Sequence, residues 1–250
     1  MLSLVRLLLR GLLCVHSLFR HQQKIVFLPY KQLLRFQLHK GPLPLPLMGS
    51  LCAWNIQGLN WPNKQEDLKV FLQSYQIDFI GLLETKIKQA KVDYIASNVF
   101  RGWRWSHNFS AGDHGRIFIA WRPQRYRMTV LTFSAQHLHC RLEDFLVSTT
   151  FLLTFVYGFN QEGAQESLWH SLLEIAEDLE EPWCIVGDFN SVLYTHDRIG
   201  GTSILATEIQ EFADTVRDCG LAELPFHGPY YSWTNKTVWS RIDRVFVNTY

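Results

Sequence analysis

No CxxC pair, no low-complexity tract, no internal repeat and no unbroken apolar run of membrane-spanning length occurs in these 250 residues. The five cysteines (14, 52, 140, 184 and 219) are scattered and odd in number. That rules against a disulfide scaffold or a thiolate zinc site and fits a reducing compartment. Cys52 and Cys184 lie in apolar runs and read as small core residues. Acidic residues are missing from the start of the chain, where Glu66 is the first. A basic excess is missing from the rest: of 24 Lys+Arg, seven precede residue 51, so 17 face 23 acids in residues 51–250. Bulk charge there gives no attraction to nucleic acid. Any such contact has to come from a local patch or a bridging cation.

What is present is a globular composition, 47% hydrophobic and 14% aromatic, with enough chain for a sizeable core. The leader "MLSLVRLLLRGLLCVHSLFRHQQK" is apolar but broken by Arg6 and Arg10, so it makes a poor transmembrane span. It reads as a transit peptide, as a membrane anchor, or as upstream sequence ahead of a start at Met48. The boundary "GPLPLPLMGS" separates it from a clean strand. Residues 1–47 are therefore expected to lie outside the fold and 48–250 to form the domain.

Along that domain, "LCAWNI" predicts a strand, and Leu68, Phe71, Leu72 and Tyr75 recur at helical spacing. "DFIGLLE" predicts a short strand. "RIFIAW" and residues 127–133 predict adjacent strands, and 145–158 two more. A helix is expected over 166–179. Another should start at Thr207, capped by Gln210, and end at Gly220. "YYSWTN" and "RIDRVFVN" read as a hairpin around 236–238. Strands alternating with helices at both ends, with a run of strands between, suit two packed sheets flanked by helices.

Five apolar runs each deliver a polar side chain near one end: Asn55, Glu84, Tyr157 with Asn160, Asp188 with Asn190, and Asp243. In "CIVGDFN", Asp188 and Asn190 stand two apart, which in a strand places them on one face. Carboxylate, amide and phenol without a His or Cys cluster match a hard cation such as Mg²⁺. Such a set can orient a water and neutralise a phosphate.

These runs resemble the endonuclease/exonuclease/phosphatase superfamily, which includes DNase I and the apurinic/apyrimidinic endonucleases. Within it, "WNIQGLN", "GLLETKIK", "FVYGFN", "PWCIVGDFNSVLYTHDRIGG", "CGLAELPFHGPYYSWTN" and "RIDRVFVN" are most similar to the endonuclease domain of plant LINE-type (non-LTR) retrotransposons. The resemblance implies a four-layer α/β/β/α sandwich acting on DNA with Mg²⁺, or Mn²⁺ in its place. It implies a reverse transcriptase domain as partner in the parent element, and nuclear action, or organellar if the leader is a transit peptide. Residue by residue, Glu84 matches the metal-binding glutamate and Asn55 the amide beside it. Tyr157 and Asn160 match contacts to the scissile phosphate, Asp188 the residue that handles the attacking water, and Asn190 the amide on the phosphate. Asp243 matches the aspartate that buttresses a catalytic histidine. Thr234 and Ser240 fall in the hairpin that faces DNA.

Two departures stand out. Gln57 replaces an acidic residue of the abasic-site enzymes. The family's Ser-Asp-His lies beyond the Asp243 motif, and this chain stops at Tyr250; His196 and His227 read as loop residues. The fold is thus expected to be truncated at its C-terminus, with impaired nuclease activity and an open edge at 242–247. A catalytically dead remnant, or a lipid or inositol phosphatase, are the alternatives. Arg101, Arg104, Arg116, Arg122, Arg125 and Arg127, among Trp103, Trp105 and Trp121, read either as a DNA-binding patch or as a solvated rim over core tryptophans.

Overall fold

A computed structural model describes residues 13–17, 24–28, 50–111, 116–161, 163–177 and 179–248. Most of the leader and its Pro-rich boundary lie outside these residues.

Two twisted sheets stack face to face. The first holds β1 (Leu13–Ser17), β2 (Lys24–Leu28), β3 (Ser50–Asn55), β4 (Ile77–Leu83), β5 (Arg104–His107), β6 (Phe118–Trp121) and β13 (Phe226–His227), in the order β13-β1-β2-β3-β4-β6-β5. The second holds β7 (Tyr126–Phe133), β8 (His137–Asp144), β9 (Thr149–Tyr157), β10 (Trp183–Asp188), β12 (Leu221–Glu223) and β16 (Asp243–Asn248), in the order β12-β16-β10-β9-β8-β7. A small third sheet joins β11 (Arg198–Ile199), β15 (Trp239–Ser240) and β14 (Trp233–Thr234). Helices α1 (Pro62–Ser74) and α2 (Val92–Val99) cover the first sheet; α3 (Glu166–Glu177) and α4 (Ala206–Asp218) cover the second.

Strand alternation explains the layers. In β9, Phe151, Leu153, Phe155 and Tyr157 enter the apolar seam between the sheets, while Leu152 and Val156 meet α3 and α4. In β4, Phe79 and Leu83 enter the same seam, and Ile80 and Leu82 meet α1 and α2. Gly81 lies between Phe79 and Leu83, where a Cβ would stand 2.1 Å from Phe155 Cε1. Glycine here lets the Phe155 ring cross from the other sheet and stack on Phe79, at 6.0 Å between centroids.

Helix α1 begins with Pro62 at its first turn and buries Leu68, Phe71 and Leu72, the expected stripe. Helix α4 starts at Ala206 and is closed by Glu208, whose Oε2 accepts the Leu205 N–H at 2.6 Å. The acidic residue takes the role expected of Gln210, because only its position reaches the first free amide. Its end at Gly220, φ +61°, is as expected.

Other expectations are corrected. β6 and β7 are consecutive but lie in different sheets, and residues 145–148 form a turn before one strand, β9. The hairpin is β14–β15, and β16 leaves it for the second sheet. β16 is no open edge, since β10 and β12 pair with it on either side. Cysteines 52, 140, 184 and 219 are buried free thiols. Among the described residues no helix is long and apolar enough to cross a membrane.

Two stretches of the leader stand in the first sheet. β2 pairs antiparallel with β3, placing Lys24 opposite Asn55, and β1 pairs with β2 and β13. Without them β3, whose side chains from Leu51 to Asn55 are buried, would be an exposed edge. Deleting residues 1–47 is expected to lower the thermal midpoint relative to the full chain. An unchanged midpoint by circular dichroism would place the leader outside the cooperative unit.

The second sheet buries two histidines. Trp183 Nε1 donates to Thr154 Oγ1 at 2.7 Å, and the Thr154 hydroxyl is also hydrogen-bonded to His139 Nδ1 at 2.7 Å. Burial pushes His137 and His139 down to about 4, with Arg141 and His137 adding to the effect at His139. Both folded values lie below the unfolded one, near 6.5. As pH falls from about 6.5 towards about 4, the unfolded chain takes up protons that the fold refuses, and stability is lost across that window. Urea midpoints across that range should fall for the wild type and fall less steeply for His139→Gln.

Candidate active site

The polar strand ends meet at one end of the sandwich. β3 and β4 run parallel, as do β9 and β10, so Asn55, Leu83 and the following Glu84 come together, as do Tyr157 and Asp188. β16 runs the other way and begins there: Asp243 lies opposite Asp188 in the ladder. One hydrogen bond closes the gap between sheets, from Asn55 Nδ2 to Asp188 Oδ2 at 2.9 Å, with both residues buried.

The other Asp188 oxygen accepts the Asn190 N–H at 3.0 Å, so the carboxylate is held from two sides. Asn190, at φ +50°, turns its Nδ2 to Gly158 O at 2.7 Å. Gly158 permits this approach, since a Cβ there would lie 2.3 Å from Phe189 O. Gln165 ties the same turns together, donating to Phe159 O at 2.5 Å and Phe189 O at 3.1 Å.

Glu84 sits just past β4 with φ +52°. The Tyr157 hydroxyl donates to it, and Lys86 Nζ pairs with its Oε1 at 2.6 Å. Burial, then the nearby Glu84 and Asp188, push the Tyr157 phenol well above its ordinary range, with Arg116 opposing. Tyr157 is therefore a neutral donor at any physiological pH. Lys64 donates to Ile56 O and Gln57 O, both at 2.8 Å, bracing the turn after Asn55. Burial lowers its pKa and Glu84 raises it. Among the described non-glycine residues with positive φ, Gln57, Glu84, Lys86 and Asn190 border this site. Such backbone is concentrated where function imposes it.

The residues fit a hard divalent cation. Asn55 is 6% exposed and its Oδ1 is buried without a hydrogen-bond partner; its amide nitrogen meets the Asp188 carboxylate, and Glu84 follows Leu83, the ladder partner of Asn55. Among the described residues no cluster of three or more His, Cys, Asp or Glu forms a ligand cage. An oxygen-only set with few protein ligands suits Mg²⁺, which keeps most of its waters.

Not every expected residue joins. Asn160 is exposed in the loop after β9. Thr234 Oγ1 accepts the Lys236 N–H at 2.8 Å and shapes the β14–β15 turn. Ser240 is buried and accepts from Arg198 Nε at 3.1 Å, so it joins the small sheet together and is not offered to a ligand. Sequence reasoning missed Asp197, which follows His196 in a loop. Its side chain accepts from Leu193 N, Tyr194 N and Tyr230 Oη and is ion-paired with Arg244, both members fully buried. Arg244 also reaches Glu223 Oε1 at 2.9 Å. The signal is faint in sequence, because the two partners are far apart along the chain.

Residues 52–249 match the endonuclease/exonuclease/phosphatase family. The chain belongs to this family. As a family member it is similar in fold to the endonuclease domain of TRAS1, a telomere-specific non-LTR retrotransposon, with 15% identity, TM-score 0.61, and coverage of 78% of this chain and 82% of that one. It is also similar to humanized D. rerio TDP2, at 17% identity and TM-score 0.53 over 80% and 83%. A Bacteroides thetaiotaomicron mannosyl-6-phosphatase matches at 14% identity and TM-score 0.51 over 80% and 85%. At these identities the likeness is one of fold. No curated protein matches this chain in sequence.

The Asp197–Arg244 pair anchors the loop after Asn190 to the strand that carries Asp243. Arg244→Met would leave Asp197 charged and buried, a change that costs about 3–5 kcal/mol. A large drop in urea midpoint is expected for Arg244→Met and for Asp197→Ala alone. The double variant should lose less than their sum, which a double-mutant cycle measures.

Proposed function

We propose that this chain is a Mg²⁺-dependent phosphodiesterase domain acting on DNA, of the retrotransposon endonuclease kind. The observation that carries the reading is the Asn55–Asp188 bridge, which sets two strand ends from different sheets around one unpartnered Asn55 oxygen. The fold shared with the TRAS1 endonuclease domain supports the same choice of substrate. A reverse transcriptase domain is the partner this reading implies.

Asp188, fixed at both oxygens, orients a water against the phosphorus and takes its proton. The Asn190 amide lies beside it as a neutral donor for phosphate oxygens, where negative charge grows. Glu84 and Asn55 would hold the cation, which supplies charge neutralisation on the phosphate and the leaving oxygen. Tyr157 keeps Glu84 in place through its hydroxyl.

In supercoiled-plasmid assays with Mg²⁺, Asp188→Asn is expected to lower nicking by about 10²–10⁴ while Mn²⁺ still binds. Glu84→Gln should weaken Mn²⁺ binding, followed by water relaxation. Equal Mn²⁺ affinity in wild type and Glu84→Gln would remove Glu84 from the metal site. Phosphate release from a lipid, inositol or sugar monophosphate without nicking would replace DNA as substrate.

A further inference from the structure

The arginines between 101 and 127 do not form one patch. Arg104 pairs with Trp121, which pairs with Phe79, five residues before Glu84 and so roughly 17 Å from it at strand rise. Arg101 precedes β5 at the same far end, and Arg122 donates its N–H to Asp78 O there. Arg127 lies opposite Glu143, itself opposite Thr150 at the start of β9, away from Tyr157. Arg122, Arg125 and Arg127 are also neutralised by Asp78, Asp144 and Glu143. At the far end Arg122, Arg125 and Arg127 form an ion-paired rim.

Arg116 differs in place and in partners. Its carbonyl accepts the Thr85 N–H at 3.2 Å, directly after Glu84. Its guanidinium lies over the Tyr157 ring at 5.6 Å and over the Phe159 ring at 4.9 Å. No carboxylate among the described residues is ion-paired with it, in contrast to Arg122, Arg125 and Arg127. The platform beneath is rigid: Gln136 Oε1 accepts the Phe159 N–H at 2.7 Å, and the Gln136 amide is itself fixed by Ala164 O at 3.0 Å and Ser167 Oγ at 3.1 Å. A guanidinium held over rings leaves its N–H groups available for hydrogen bonds.

We infer that Arg116 is a further substrate-binding residue of the site, taking a backbone phosphate of the bound strand through its guanidinium edge. The inference rests on the nucleic-acid reading above. It answers a problem that composition raises: residues 51–250 carry more acid than base, so affinity for a polyanion must come from a few well-placed cations. Rings hold the charge at the mouth, beside Tyr157, with no paired acid among the described residues to cancel it. Planar N–H pairs match phosphate oxygens better than a lysine ammonium does.

Binding of a short labelled DNA duplex to the full 250-residue chain, by fluorescence anisotropy between about 50 and 200 mM salt, tests this. Arg116→Ala is expected to weaken binding about tenfold and to reduce the log–log salt slope by about one, the signature of one lost phosphate contact. Arg116→Lys and Phe159→Leu should each weaken binding while keeping the slope, and together should cost no more than the worse of the two. Mn²⁺ affinity and thermal midpoint should match the wild type in every variant. If Arg116→Ala leaves the slope unchanged while the wild type binds, the inference falls and the reading of the site stands. If the wild type binds no DNA, both fall.

Discussion

Everything at the end that gathers the polar strand termini hangs on a hydrogen bond between two layers. Stacked sheets are held by apolar contact, which fixes their spacing but tolerates sliding, because dispersion and burial have little direction. The Asn55–Asp188 bond has direction. It lies at the rim of the apolar seam, where a buried amide and carboxylate would each be costly alone. Meeting there, they lock the end of β3 against the end of β10. Glu84 follows from β4, which is paired to β3, and Tyr157 and Asp243 follow from β9 and β16, which flank β10. Five side chains, on or just past the ends of five strands, are thereby set by one contact and the ladders on either side.

Around that contact the supporting side chains mostly hold backbone groups. Lys64 braces two carbonyls after Asn55, Gln165 spans two turns, and Asp197 gathers two amides, a phenol and the Arg244 guanidinium. These residues perform no chemistry in the proposed reaction. They hold loops that would otherwise have to be ordered each time a substrate bound, which is how preorganisation lowers a barrier.

Much of this was legible in the sequence where the signal was local. A polar residue closing an apolar run is visible in a few letters, so Asn55, Glu84, Tyr157, Asp188, Asn190 and Asp243 could be singled out, and the order of strands and helices indicated the layers. What was not legible depended on which end of a strand faces which. Six arginines and three tryptophans crowd residues 101–127, yet β5 and β6 run antiparallel, so most of that crowd is carried to the far end and only Arg116 is left near Glu84. Ser240 was expected in a hairpin facing DNA, but the small third sheet buries it. The edge expected at β16 vanished because β12, a strand of three residues, is too short to announce itself.

The left-handed residues around the site have a consequence for anyone who would make this protein sturdier. Glycine at Gln57, Glu84 or Lys86 would relieve backbone strain of order 1 kcal/mol or more at each position. Exchange at Glu84 or Lys86 would also remove the carboxylate or the ammonium itself, and exchange at Gln57 would loosen the turn after Asn55. Heat resistance and reactivity are thus set against each other at the same few dihedral angles. A search for hardier variants that selects on melting alone would be drawn to the loops that matter most.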